Sequence, residues 1–314
     1  MSIHYNEFFA MGKARDTRRV SSVVDRNVAL VISDVKDAVP SPVILRTTKG
    51  VIGNLNVAGA TSFREEADRR ILFDLVVRLF GGNPQEPFRL NRIALGSGGT
   101  RVLDKNNSLT GTMTAVETPG LAYAVTRQNY PDNPEFWPRT WGHTPRTNET
   151  LGYGGEHSSF QLAEKIGKDT IPNPLLHLLW ILQKGASTPT DWNGDLLKYI
   201  ELLRLFADSG EGLSGLLVLS GGGVTAEEVL MALREGIPVL GAAGTGRAAN
   251  ALIDLKYGNV DNVAEDGIRK HYQTILREDL DTGLIRIFDA SDPISGQRWL
   301  QEMGFGVITR PSRM

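Results

Sequence analysis

The sequence predicts an α/β protein built on an open, mainly parallel sheet with helices on both faces. Three observations predict it. Residues 215–256 run as apolar strand, glycine-rich turn and amphipathic helix, twice in succession. Residues 216–219 are an unbroken apolar run, Leu-Leu-Val-Leu, which suits a parallel strand covered on both faces. A chain of 314 residues with 41% apolar residues can form the core that such a sheet needs.

From the N-terminus, residues 28–33 and 42–47 are strand-like with a proline-bounded connection, and they are expected to extend the sheet. The expected division is an N-terminal extension over 1–50 and a main domain over 51–314, with an insertion at about 127–210. Residues 54–58 read as a short strand and Ala60-Thr61-Ser62 as a turn. Residues 63–80 then form a long amphipathic helix closing at Gly81-Gly82. Residues 92–95 form a strand that enters Gly96-Ser97-Gly98-Gly99-Thr100-Arg101, and 121–126 form another.

Residues 127–160 are rich in Pro, Gly, Asn and Trp and show neither helical nor strand period, so a long ordered loop is expected. Trp137, Trp141, His143, Arg139 and Arg146 would either stack on a base and hold its phosphates or plug the edge of the core. Residues 173–184 and 195–207 have helical patterns, the first nearly apolar all round. They predict a helical insertion, and their surplus apolar surface predicts a homo-oligomer.

After the strand at 216–219, Gly221, Gly222 and Gly223 allow close approach of a ligand. Thr225 stands at the N-cap of the next helix with Glu228 three residues on, the spacing of a capping box, and Gly236 ends that helix. Residues 237–240 form the next strand, and Gly244-Thr245-Gly246-Arg247 opens the following helix. Residues 262–277 read as helix, 284–288 as strand, 295–303 as helix and 306–309 as a last strand continuing the sheet.

Two helix N-termini are thereby aimed at one sheet edge, each with unpaired N–H groups and a partial positive charge, an arrangement that attracts phosphate or pyrophosphate. The carboxyl ends of neighbouring parallel strands are also where open α/β sheets bind ligands. Arg247 in a first helical turn opposes the helix dipole, so a bound anion explains its place better than local stability does. The candidate ligand-binding residues are Gly221, Gly222, Gly223, Thr225, Gly244, Thr245, Gly246 and Arg247. Gly98, Gly99 and Thr100 join them as either a phosphate cradle or a plain tight turn.

The run PVLGAAGTGRAANALI, residues 238–253, resembles the SLOG superfamily of Rossmann-like nucleotide-binding domains, particularly its bacterial stand-alone and melastatin-channel N-terminal branch. SGGGVTAEE, residues 220–228, resembles the PGGxGTxxE motif of the lysine-decarboxylase-like Lonely guy proteins, with Ser220 in place of proline and Val224 in place of glycine. LGSGGT, residues 95–100, is similar to the glycine-rich turn in the first half of that fold. The resemblance implies a Rossmann-like fold and an ADP-ribose-like or related nucleotide ligand, and dimers or larger assemblies are common in the family. It also implies a catalytic role for Glu228 if the chain hydrolyses an N-glycosidic bond. The basic partner of that reaction has no identifiable counterpart here.

Composition narrows the classes further. The chain has no cysteine, which excludes disulfides, thiolate nucleophiles and cysteine metal sites. The five histidines, His4, His143, His157, His177 and His271, have no metal-site spacing, and neither a metal nor a cofactor is expected. His177, within the apolar run, reads as a core residue. A net charge of −2 argues against a broad nucleic-acid footprint, and the Lys13, Arg15, Arg18 and Arg19 patch reads as a basic arm. No membrane span or secretory leader is evident, so a cytoplasmic protein is expected. Two functions compete: a sensor of a nucleotide-derived ligand, and a nucleotide N-glycosidase using Glu228. A third, an interaction scaffold that has lost its ligand, needs no site at all.

Overall fold

The computed structural model describes residues 212–308 without a break. Before them it describes 29–33, 53–59, 74–76, 78–80, 88–90, 93–98, 100–102, 139–145, 170–172, 178–182, 196, 200–201, 203–204 and 207–208. Eight strands form the main sheet: β1 (Ala29–Ser33), β2 (Gly53–Gly59), β4 (Ile93–Gly98), β6 (Arg139–Pro145), β8 (Leu178–Leu182), β9 (Leu213–Leu219), β10 (Val239–Ala243) and β11 (Ile285–Asp289). Their order is β1-β8-β6-β4-β2-β9-β10-β11, and every neighbouring pair is parallel. Two small antiparallel pairs stand apart, β3 (Phe88–Leu90) with β12 (Gly306–Ile308), and β5 (Thr100–Val102) with β7 (Thr170–Pro172). The architecture is Rossmann-like.

Side chains alternate across the sheet, and each face has its own cover. On one face, Ala58, Leu216, Val218, Val239 and Ile285 join a core cluster with α1 (Gly223–Arg234), α2 (Arg247–Lys256) and α3 (Asp266–Arg277), and with the helical residues Leu196, Ile200 and Leu203. On the other face, Leu55 lies beside Phe305 at Gly215. There Gly296 of α4 (Pro293–Glu302) fits between Phe288 and Leu79 of the helical residues 78–80. Gln297 ties these two helices together, its amide donating to the carbonyl oxygens of Arg78 at 2.7 Å and Leu79 at 3.1 Å. Among the described residues no helix is long and apolar enough to cross a membrane.

The sheet order places a topological switch point. From β2 the chain builds outward to β4 and β6 on one side, and from β9 outward to β10 and β11 on the other. The crevice between the carboxyl ends of β2 and β9 is therefore where connections diverge and a ligand can enter.

Four expectations are corrected. Residues 139–145, expected within a loop, form β6 inside the main sheet, where Trp141 pairs in register with Leu178 and Gly96. Pairing on both sides overrides the local turn-forming composition, and Arg139, Trp141 and His143 are strand residues. The helix expected over 173–184 contains strand β8. A short apolar run has no period to separate buried strand from buried helix, and Pro172 and Pro174 upstream leave a strand-length segment. The last strand does not continue the main sheet, because β12 pairs antiparallel with β3. The helix expected from Thr225 begins at Gly223, with Gly222 as its N-cap and no side-chain cap. The strand at 42–47, the strand at 121–126, Trp137 and Arg146 lie outside the described residues.

Candidate functional site

At the carboxyl end of β9, Ser220 and Gly221 turn the chain with φ of 57° and 89°. Ser220 is held there by both of its backbone polar groups. Its N–H donates to Thr245 Oγ1 at 2.8 Å, and its carbonyl accepts from Ala249 N at 2.9 Å. Proline, fixed near φ −65°, cannot occupy this position. Gly221 leaves room for the Thr225 side chain, which folds back beneath the turn and is buried. Thr225 therefore packs inside the first turn of α1 instead of capping it. Val224 takes ordinary helical backbone, so no glycine is needed there, and its side chain is exposed.

The two glycine turns lie against each other. Ala248 N donates to Gly221 O at 3.1 Å, so the first two interior N–H groups of α2 end on carbonyls of the β9 turn. The second turn is closed in the same way. Gly244 N and Gly246 N both donate to Asn250 Oδ1, at 2.8 and 3.1 Å, and Thr245 N to Ala242 O at 3.3 Å. The Thr245 hydroxyl donates to Ala242 O at 2.6 Å while accepting from Ser220. Tyr272 of α3, fully buried, anchors the start of α2 by donating to Ala248 O at 2.9 Å, and burial pushes its hydroxyl pKa far up.

The N-terminus of α1 is different. Ala226 N bonds Gly222 O in the ordinary helical way, and the N–H groups of Gly223, Val224 and Thr225 meet no acceptor among the described residues. The expectation of two open helix N-termini thus reduces to one open and one occupied.

Arg247 connects the turns. It is the first residue of α2, at φ 44°, and its guanidinium lies over Gly222, where a Cβ would stand 2.7 Å from Nη2. Glu265, just before α3, holds it there through Nε at 2.9 Å and Nη2 at 2.5 Å, and both side chains are 38% exposed. A cation is therefore fixed beside the open N-terminus of α1.

Gly98 ends β4, paired with His143, at the same sheet edge and level with Ala58 of β2. Thr100 begins β5, and Gly99 lies outside the described residues. Glu228 is buried at 7% exposure on the second turn of α1. Sequence reasoning missed Gly59, which ends β2 at φ 141° and passes so close to β9 that a Cβ would collide with the Leu219 carbonyl. Its signal is the glycine after NLNVA, left between the expected strand at 54–58 and the expected turn at 60–62. Among the described residues no three His, Asp or Glu side chains gather as a metal site.

No family model and no curated protein matches this sequence. Among solved structures, the chain is similar to the Moco carrier protein from Chlamydomonas reinhardtii, at 13% identity and a TM-score of 0.37. That alignment covers 80% of this chain and 98% of that one. The fold class rests on the sheet order and its parallel connections, which are compatible with nucleotide binding in general.

Proposed function

We propose that this protein binds a nucleotide-derived, phosphate-containing ligand of the ADP-ribose type as a sensor or ligand-binding protein of the SLOG kind. The observation that carries this reading is the open N-terminus of α1, at Gly222, Gly223 and Thr225, placed at the β2/β9 switch point with Arg247 fixed beside it. In this reading the first turn receives a phosphate through backbone N–H groups and Arg247 supplies a charge-assisted hydrogen bond. Gly221 shapes that turn, and Gly244, Thr245 and Gly246 brace it from behind. In this reading Gly98, at the carboxyl end of β4, approaches the ribose or a second phosphate together with Gly99 and Thr100.

The second reading is hydrolysis of a nucleotide N-glycosidic bond, kept by the burial of Glu228 one turn inside α1. One experiment separates the two: the protein is incubated with ADP-ribose, NAD, cyclic nucleotides and nucleoside monophosphates while thermal shift and free-base release are followed together. Stabilisation by a pyrophosphate compound with no base released supports the sensor. Base release that Glu228→Gln abolishes supports the hydrolase, and no response to any of them removes both.

A further inference from the structure

The strands at the switch point carry polar side chains where a parallel sheet covered on both faces calls for apolar ones. Asn56 of β2 is 0% exposed and Ser214 of β9 is 5% exposed. Asn54 pairs in register with Ser214, so Asn56, two residues on, is its diagonal neighbour on the same face. Around them on that face are Ala58, Leu216 and Val218, which belong to the apolar cluster containing Leu196, Ile200 and Leu203. Among the described residues, neither the amide nitrogen nor the amide oxygen of Asn56 has a hydrogen-bond partner, and nor does Ser214 Oγ.

Each polar atom buried without a partner costs ~1–3 kcal/mol. Three together approach the whole net stability of a domain, ~5–15 kcal/mol, so a polar occupant that satisfies them is strongly favoured. Depth decides which occupant. Asn56 lies three residues before the end of β2, about 10 Å below the sheet edge at roughly 3.3 Å per residue, beyond a phosphate held at the rim. Diagonal neighbours on paired strands are about 7–8 Å apart across the sheet, a gap that one carboxamide, one water and one hydroxyl span. A buried water makes about three hydrogen bonds, and the two amide N–H donors, the amide oxygen and the hydroxyl can supply them. We propose that Asn56 and Ser214 hold an internal water molecule between β2 and β9, a hydration site built into the strands that flank the switch point.

The test counts long-lived internal waters by oxygen-17 relaxation dispersion on the full-length wild type, Asn56→Leu and Ser214→Ala, with a high-resolution crystal structure of the wild type. The expected result is at least one long-lived water fewer in each variant, and in the crystal a water bridging Asn56 Oδ1 or Nδ2 to Ser214 Oγ. Equal counts in all three proteins overturn the proposal, as does a crystal structure in which both side chains bond only to protein. If Asn56→Leu fails to fold, Ser214→Ala, which removes a single hydroxyl, carries the comparison. The proposal is independent of the ligand reading, because none of these measurements uses a nucleotide.

Discussion

Gly222→Ala separates the job of the first turn from its stability. Gly222 has φ −114° and ψ −151°, extended backbone open to alanine, so the substitution introduces no left-handed strain. The three atoms nearest the new Cβ all belong to Arg247, at 2.7 Å for Nη2, 3.2 Å for Cζ and 3.3 Å for Nη1. These atoms are the far end of a flexible side chain, so Arg247 swings away and its pair with Glu265 is lost or re-formed elsewhere. An exposed pair of this kind contributes ~0.2–1 kcal/mol, and the expected drop in melting temperature is at most about 4 °C. Affinity responds more. A hydrogen bond from a guanidinium to a phosphate is worth ~1.5–3 kcal/mol, which predicts roughly 10- to 100-fold weaker binding of ADP-ribose by titration calorimetry. Arg247→Ala should weaken binding to the same extent. Gly221→Ala is the contrasting control: at φ 89°, with Thr225 in the space a Cβ needs, it should cost ~2 kcal/mol or more of stability. Wild-type affinity in both Gly222→Ala and Arg247→Ala would refute the assignment of Arg247 to the ligand.

Three further outcomes follow from the geometry. Thr245→Val removes the acceptor of the buried Ser220 N–H and the donor to Ala242 O, and should lower stability by ~2–3 kcal/mol in urea unfolding; Thr245→Ser should recover most of it. Gln297→Leu leaves the Arg78 and Leu79 carbonyls without their cross-helix donor and should cost ~1–3 kcal/mol by the same measurement. His271 has its pKa lowered, first by burial and then by Lys270 and Arg234, with Glu227 opposing. The unfolded chain therefore takes up its proton at higher pH than the folded one. Stability falls as pH drops through the usual histidine range near 6.5, and the loss is complete once pH passes below the depressed folded value. His271→Gln should flatten that part of the stability profile.

Most of the C-terminal third of the fold was readable because apolar runs and glycines mark where its strands and helices alternate. The run 216–219, the triple glycine and Gly236 bracket β9 and α1, whereas α4 was expected from Ser295 and begins at Pro293, with Asp292 before it accepting from Ser295 N. β6 and β8 were not readable. Arg139–Pro145 holds a glycine and ends in proline, and only pairing with β4 and β8 makes it a strand. The first turn of α1 shows a different limit: Thr-x-x-Glu spacing fits a capping box, but two glycines upstream let the helix start earlier, and spacing alone does not reveal which residue turns the chain. The closure of the second turn was likewise hidden, since it depends on Asn250 and on the carbonyls of Ser220 and Gly221, more than twenty residues away in the turn after β9.

That closure assigns different work to two turns that look alike in sequence, and Asn250→Ala tests the division. Asn250 Oδ1 is the shared acceptor for Gly244 N and Gly246 N, at the exposed rim beside Arg247. If the second turn is a brace, removing the carboxamide lowers stability by ~1–2 kcal/mol and leaves ADP-ribose affinity within about twofold, because binding competence scales with the folded fraction and that stays near one. If instead the second turn is a phosphate site held shut by Asn250, the variant frees two N–H groups beside a cation, and binding tightens. Tighter binding would return the second turn to the role its glycines suggest in the sequence, with Asn250 as its resident competitor. Unchanged affinity leaves α1 as the anion-receiving helix and Arg247 as the second turn's contribution to it.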